Sequence, residues 1–246
     1  MSVAALYDIH GNLPALEAVL AEVRNVGVGE VIVGGDVLPG PMPVEALDLL
    51  AALDVPVRYL SGNGERETLA AVEGRELITV PAAYQAPVRW GAAQLLAAYV
   101  ESLRTWPATL DVHVAGIGSV LFCHATPRSD TEIFTRVTPD ARIAPAFAEI
   151  AASLVVCGHT HMQFDRTVGR VRVVNAGSVG MPFAPPGAYW LLLDGDGPHL
   201  RRTPYDLEAA AARIRATAYP GAEAFAANHV LAPPGEGQMI AAFEGR

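Results

Sequence analysis

Val3-Ala4-Ala5-Leu6-Tyr7-Asp8-Ile9-His10-Gly11-Asn12 is the stretch on which the fold turns. The run from Val3 to Tyr7 is apolar and short, as a buried strand would be, and an acid and an imidazole follow where that strand should end. Asn12 can cap a helix in which Leu16, Val19, Leu20 and Val23 recur at helical spacing. The pattern then repeats. Val31 to Gly35 predicts a strand running into Asp36, Val44 to Leu53 a helix, and Val57 to Leu60 a third strand ahead of Gly62-Asn63. Strand–helix–strand–helix–strand in this order argues for a parallel sheet with helices on its faces.

Outward from that core the signals change character. Residues 64–106 read as mostly helical, with Trp90 and Trp106 as apolar anchors and Ala92 to Leu103 as a strong helix. This insertion would form either a cap over the strand ends or a packing helix pair. Val112 to Ala115 and Val120 to Cys123 predict strands across the Gly116-Ile117-Gly118 turn. A helix near Arg142 to Ala152 and a strand at Leu154 to Cys157 follow. Beyond His161 the pattern is antiparallel, with a hairpin signal at Asp194-Gly195-Asp196-Gly197. A helix from Leu207 to Ala218 precedes a tail broken by Pro and Gly, giving a C-terminal region over 206–246. No linker-like stretch interrupts the chain, so residues 1–246 are expected to form one α/β domain of two packed mixed sheets with outer helices.

Composition narrows the function classes. Half the residues are hydrophobic (51%) against 17% charged, enough for a substantial core and too apolar for long disorder. With 26 acids and 17 bases the formal charge is −9. The densest basic stretches, Arg166 to Arg172 and Arg201-Arg202, are too sparse to track a nucleic-acid backbone, so duplex DNA is not an expected partner. A small phosphorylated substrate is compatible, and homo-oligomerisation stays open. Cys123 and Cys157, the only cysteines, lie inside apolar runs and read as core residues rather than a disulfide framework. The N-terminal segment lacks the basic region of a signal peptide, and no apolar run reaches membrane-span length, so a soluble cytoplasmic protein is expected.

The polar residues at the predicted strand ends carry the chemistry. Asp8 and His10 are two apart, so in a strand both side chains would point to one face and grip a single ion. Asp36 follows two glycines and has two oxygens with which to bridge ions. Asn63 offers an amide oxygen, and His124, His159 and His161 offer imidazoles. Such a shell of nitrogen and oxygen without thiolate favours Mn²⁺, Fe or Zn²⁺ over Ca²⁺ or Mg²⁺. Two carboxylates against two divalent ions leave a net +2 to attract phosphate. A hydroxide bridging ions about 3.5–4 Å apart would be the nucleophile for in-line attack. Asn12 and Asn175 flank these positions in loops.

Asp8-x-His10, Gly35-Asp36, Gly62-Asn63, His124 and Gly158-His159-x-His161 match, in order, the motifs of the calcineurin-like metallophosphoesterases. The resemblance spans residues 3 to about 180 and is nearest to the small bacterial and archaeal phosphodiesterases of that superfamily, with Asn175-Ala176-Gly177-Ser178 where relatives often have Asn-Pro-Gly-Ser. It implies a four-layer αββα sandwich and two metal ions, Mn²⁺ first, with Fe, Zn²⁺ or Ni²⁺ as alternatives. By this likeness Asp8, His10, Asp36 and His161 would hold one ion and Asp36, Asn63, His124 and His159 the other. Asp36, Asn63 and His10 are the candidate catalytic residues. The implied activity is hydrolysis of a phosphodiester or other small phosphoester.

One departure stands out. Many members read Gly-Asn-His-(Asp/Glu), and that His is taken as the acid for the leaving group. Here the run is Gly62-Asn63-Gly64-Glu65. The alternatives for a proton donor are Glu65, His10 or a metal-bound water, and hydrolysis should favour good leaving groups. Arg128 and Arg66 are candidate contacts for a substrate phosphate, against the plainer reading as solvated loop arginines. His113, His199 and His229 lack partner spacing and read as structural or exposed. A second class of function is a scaffold that keeps the fold but binds proteins, as a retromer subunit of this superfamily does. Intact ligand positions favour the enzyme.

Overall fold

The structure, a computed structural model, describes residues 2–78 and 80–245. The first part follows the expected order: β1 (Val3–Leu6), α1 (Leu13–Val26), β2 (Glu30–Val33), α2 (Pro43–Ala51) and β3 (Val57–Tyr59). Both β1–β2 and β2–β3 pair in parallel. Next come α3 (Asn63–Val72), α4 (Ala82–Gln94), α5 (Ala97–Leu103), β4 (Thr109–Val114), β5 (Gly118–Cys123), α6 (Asp140–Ile143) and β6 (Leu154–Cys157). The chain continues through β7 (Phe164–Val168), β8 (Val171–Asn175), β9 (Ala188–Asp194), β10 (Gly197–Thr203), α7 (Leu207–Arg215), α8 (Ala222–Phe225) and α9 (Glu236–Glu244). The strands form two five-stranded mixed sheets, ordered β10-β9-β1-β2-β3 and β4-β5-β6-β8-β7.

Strand alternation explains the four layers. In β1 and β2 the side chains of Ala4, Leu6, Val31 and Val33 pack outward with Leu16, Val19 and Leu20 of α1 and Leu47 and Leu50 of α2. Val3, Ala5, Tyr7 and Ile32 point the other way, onto Val112, Val120, Phe122, Leu154 and Val156 of the second sheet. The far face of that sheet, with Leu121, Cys123, Val155 and Cys157, is covered by Phe134, Ile143 and Phe147. Because both faces of β1, β2 and β6 are buried, these strands read as continuous apolar runs. Cys123 and Cys157 are core residues on that outer face.

Three expectations are corrected. The helix read over Ala92 to Leu103 is two helices, broken where Leu95 and Leu96 turn extended. No Gly or Pro marks the break; Leu95, Tyr99 and Leu103 pack on the first core, and tertiary contact overrides local propensity. The helix read over Arg142 to Ala152 is only the short α6 and a 3₁₀ turn, Ala144–Ala146. The C-terminal tail is not irregular: α8, a π-helical turn (Ala226–Leu231) and α9 follow α7. Ile214, Phe225, Ala226 and Val230 from this region form a separate apolar cluster with Leu13 and Met42. Among the described residues no helix is long and apolar enough to cross a membrane.

Tyr7 ties the sheets together: fully buried, it donates from its hydroxyl to the Val156 carbonyl at 3.0 Å. Its ring lies across Gly34, where a Cβ would stand 2.0 Å from Tyr7 Cε1. Gly34→Ala should therefore overpack this point and cost about 1–3 kcal/mol. An unchanged urea midpoint in that variant would contradict the packing described.

Candidate metal centre

All seven predicted ligand positions converge at one edge of the two sheets, but not as strand residues. β1 ends at Leu6, and Asp8 and His10 occupy left-handed backbone, with φ of 53° and 47°. The expectation that a strand aligns them on one face is therefore replaced by a strained turn that does so. Asp36 (φ 52°), His159 (64°) and His161 (56°) share this conformation, and these five are the only non-glycine residues with positive φ among the described residues. Each costs on the order of 1–3 kcal/mol, and such strain persists only where surrounding structure enforces it.

The enforcement is backbone on backbone. The peptide nitrogens of Asp8, His10 and Gly11 donate to the carbonyls of Gly35, Asp36 and Val37, locking the first loop onto the second. Glu65, fully buried in the first turn of α3, accepts from the amides of Gly62, Asp36 and Val37 at 2.8 Å each and of Leu38 at 3.2 Å. Burial and Asp36 push its carboxyl up to about 7, while the amide bonds oppose that shift. Both oxygens are committed to backbone, so Glu65 organises the loops and is not placed to give a proton to substrate. Asn175 Nδ2 braces the histidine loop through the Gly158 carbonyl and Thr160 Oγ1, and Asn12 caps α1 through Ala15 N. Neither Asn12 nor Asn175 belongs to the ligand clusters.

Two sets of three donors result. Asp8, His10 and His161 offer ligand atoms within 4.8 Å of one another, as do Asp36, His124 and His159. Three imidazoles face backbone carbonyls through Nδ1: His10 to Pro39 (3.3 Å), His124 to Gly34 (2.9 Å) and His161 to Met181 (2.7 Å). Donation there turns each Nε2 to the centre, where it offers a lone pair to an ion once any proton on it is displaced, the arrangement in which a carbonyl fixes a ligand's tautomer. His10 Nε2 and His161 Nε2 face each other at 3.3 Å. Asp36 sends Oδ1 to 3.5 Å from His124 Nε2 and Oδ2 to 3.7 Å from His10 Nε2, one oxygen toward each set. The amide of Asn63 lies against His124 Nε2 and His159 Nδ1, and an oxygen in that place meets acceptors alone. Asp8 Oδ1 is buried without a hydrogen-bond donor, although Oδ2 accepts from His159 N. Lone pairs gathered around shared points, with one carboxylate oxygen orphaned, fit a pair of cations.

Electrostatics agree. Burial opposes charge on every member, yet the histidines hold Asp8 and Asp36 below the usual carboxylate range. Asp36 and Asp8 overcome burial at His124 and push it up to about 10, and His161 is raised mainly by Asp8. Burial lowers His10, and it lowers His159 to about 4.

The two candidate arginines are paired with protein carboxylates. Arg66 donates from Nε to Asp130 Oδ2 at 2.7 Å and pairs with Glu67; Arg128 donates to Glu132 from Nε at 2.9 Å and also from Nη2. Both guanidinium forks are turned to protein carboxylates. A cavity of about 430 Å³ opens over the clusters, with His10, Asn63, Gly64 and Arg66 among its lining residues. Arg128 lines a second cavity, beside His124 and Thr126. His229, which has no motif around it, also lines the first cavity. The cluster histidines near it, His161 and His10, lie more than fifty residues away in sequence, so no spacing marks it.

The model of the calcineurin-like phosphoesterase superfamily domain matches residues 1–197. This chain belongs to that superfamily. The uncharacterized protein MJ0912 of Methanocaldococcus jannaschii is 27% identical over 197 residues, 73% of this chain and 76% of its own length. Among solved structures, the hypothetical protein PH1004 from Pyrococcus horikoshii OT3 superposes with a TM-score of 0.77 at 21% identity, covering 95% of this chain and 99% of that one. A metallophosphoesterase from Sphaerobacter thermophilus gives 0.69 at 24% identity, covering 92% and 97%. These likenesses show the same fold, the αββα sandwich.

Gly64 has a structural reason. Its amide donates to Asp36 Oδ1 at 2.6 Å, and a Cβ there would lie 2.0 Å from the Leu38 carbonyl oxygen. No side chain fits without displacing the loop that carries Asp36. Gly64→Ala should weaken Mn²⁺ binding roughly 10–100-fold, the usual penalty for disturbing a ligand's support; unchanged affinity by calorimetry would refute that.

The protonation pattern makes a second prediction. A His124 imidazole raised to about 10 carries a proton at neutral pH that an ion must displace. Mn²⁺ uptake should release protons, and apparent affinity should rise with pH between 6 and 8, by up to about tenfold per unit for each proton displaced. Titrations in buffers of different ionisation enthalpy read this directly. A pH-independent affinity with no proton release would count against the assignment of His124.

Proposed function

We propose that this chain is a phosphoesterase dependent on two divalent ions, with a phosphodiester preferred over a monoester. The observation that carries the reading is the pair of three-donor clusters meeting at Asp36, with imidazole tautomers set by backbone carbonyls. Asp8, His10 and His161 would hold one ion, and Asn63, His124 and His159 the other, with one oxygen of Asp36 toward each. Mn²⁺ suits this set best, with Fe, Zn²⁺ or Ni²⁺ as alternatives. Bound ions would supply Lewis-acid activation of water and neutralise phosphate charge.

The preference for diesters rests on charge. A monoester dianion needs more cationic support than a diester monoanion. Arg66, the one arginine lining the cavity, pairs with Asp130 and Glu67, and Arg128 pairs with Glu132. Neither fork is directed at the clusters. With Gly64 in place of an imidazole and Glu65 bonded to backbone, neither side chain position supplies an acid to a poor leaving group. A diester of an acidic alcohol needs least help.

The test is hydrolysis of bis(p-nitrophenyl) phosphate against p-nitrophenyl phosphate with Mn²⁺, Fe²⁺, Zn²⁺ or Ni²⁺. The diester should be the better substrate, and Asp36→Ala should lower kcat/KM at least about a hundredfold. No hydrolysis with any of these ions, or full activity in Asp36→Ala, would overturn the reading.

A further inference from the structure

The cavity over the clusters has two unlike ends. Its floor is polar and contains His10, Asn63 and Gly64. Its walls are apolar and come from two places: Tyr84, Pro87 and Val88 of α4, and Tyr219, Phe225 and His229 of the C-terminal region. The second wall lies outside the residues matched by the family model, which end at 197. It is a built surface. Tyr219 stands edge-on to Trp90 at 5.4 Å and to Phe225 at 6.0 Å, and Phe225 in turn meets the His229 ring at 5.2 Å. Phe225 is buried and anchored in the cluster with Leu13 and Met42, so the rings are held rather than free. The π-helical turn over Ala226–Leu231 carries His229 to the cavity.

His229 Nδ1 is buried and has no hydrogen-bond partner. An interior N–H without an acceptor is costlier than a bare imine lone pair, so the tautomer with hydrogen on Nε2 is favoured. Burial, with His161 and His10 nearby, lowers its pKa to about 4 and keeps the ring neutral at neutral pH. A neutral N–H donor in an aromatic wall discriminates between planar groups without selecting for charge. The charged side chains lining the cavity, Arg66 and Glu67, pair with each other, leaving no demand for a charged occupant. A cavity of about 430 Å³ is in the range that encloses a small organic ligand.

We propose that this cavity takes the organic arm of the ester, a planar heteroaromatic group, with Tyr84, Tyr219 and Phe225 as its walls and His229 as its hydrogen-bonding contact. An ester whose phosphorus lies at the clusters has this cavity directly before it, because His10 and Asn63 belong to both. The assignment rests on the phosphoesterase reading above.

Binding of phosphonates, which are not hydrolysed, tests it on Mn²⁺-loaded protein by calorimetry. Benzylphosphonate should bind at least about tenfold tighter than methylphosphonate, from burial of the ring, and a nucleoside 5′-phosphonate tighter still. Ala224→Trp on α8 fills the cavity from an exposed position and should bring the benzyl-to-methyl ratio toward one; Ala83→Trp on α4 does so from the opposite wall if the first variant does not fold. His229→Phe should keep the benzyl preference and lose the added nucleoside preference. Equal affinity for methyl- and benzylphosphonate, or a preference that survives both tryptophan variants, would overturn the pocket. A nucleoside preference intact in His229→Phe would overturn the role of that residue. If neither phosphonates nor inorganic phosphate bind the Mn²⁺-loaded protein, the phosphoesterase reading fails, and the pocket with it.

Discussion

Five non-glycine residues are held in left-handed backbone, and the rest of this structure can be understood as what it takes to keep them there. No single contact is strong enough. The strain is balanced by peptide-to-peptide bonds between loops, by the buried Glu65 carboxylate gathering four amides, and by glycines that let backbones approach. Gly40 and Gly180 show how close: a Cβ on either would lie 1.8 Å from a carbonyl oxygen of the His10 or Ile9 peptide. The sheets beneath, fully buried on both faces at β1, β2 and β6, supply the rigid frame against which the loops are set. Preorganisation here is a property of the backbone first and of the side chains second.

Much of this frame was legible in residue order. The alternating apolar runs and helical spacing over 3–60 predicted the parallel unit, because strands buried on both faces leave an unmistakable run and Asn12 leaves a cap. The seven polar positions were legible because each follows such a run. What could not be read was how they are aimed. A two-residue spacing suggested a strand at Asp8 and His10, whereas the left-handed turn is produced by contacts with Val37, Gly40 and Gly180 that no local pattern records. Glu65 looked like an acid beside a ligand. Its role depends on four amides from two loops, three of them nearly thirty residues away.

The C-terminal region was the least legible. Pro and Gly break its periodicity, and its helices are short enough that packing, not propensity, decides them. The cluster formed by Phe225, Ala226 and Val230 on Leu13 and Met42 docks its first part, and pairing of Glu236 with Arg136 and of Glu244 with Arg142 ties down α9. That docking also explains how His229 reaches a site assembled almost entirely from residues before 162. The break between α4 and α5 is the same phenomenon, with Leu95 drawn to the first core in a stretch free of helix breakers.

Gly64 and the cavity are two consequences of one arrangement. At the start of α3 the chain uses a bare amide to hold Asp36 Oδ1, and the approach to Leu38 leaves no volume for a side chain. The space above Gly64 is therefore open, and it is continuous with the space that α4 and the C-terminal rings enclose. A larger residue at 64 would disturb the carboxylate shared by both clusters and also obstruct the floor of the cavity. The loss of a side chain at this position thus exchanges a local proton donor for a firmer Asp36 and a roomier approach. That exchange is consistent with esters whose leaving group needs little protonation and whose organic part needs space.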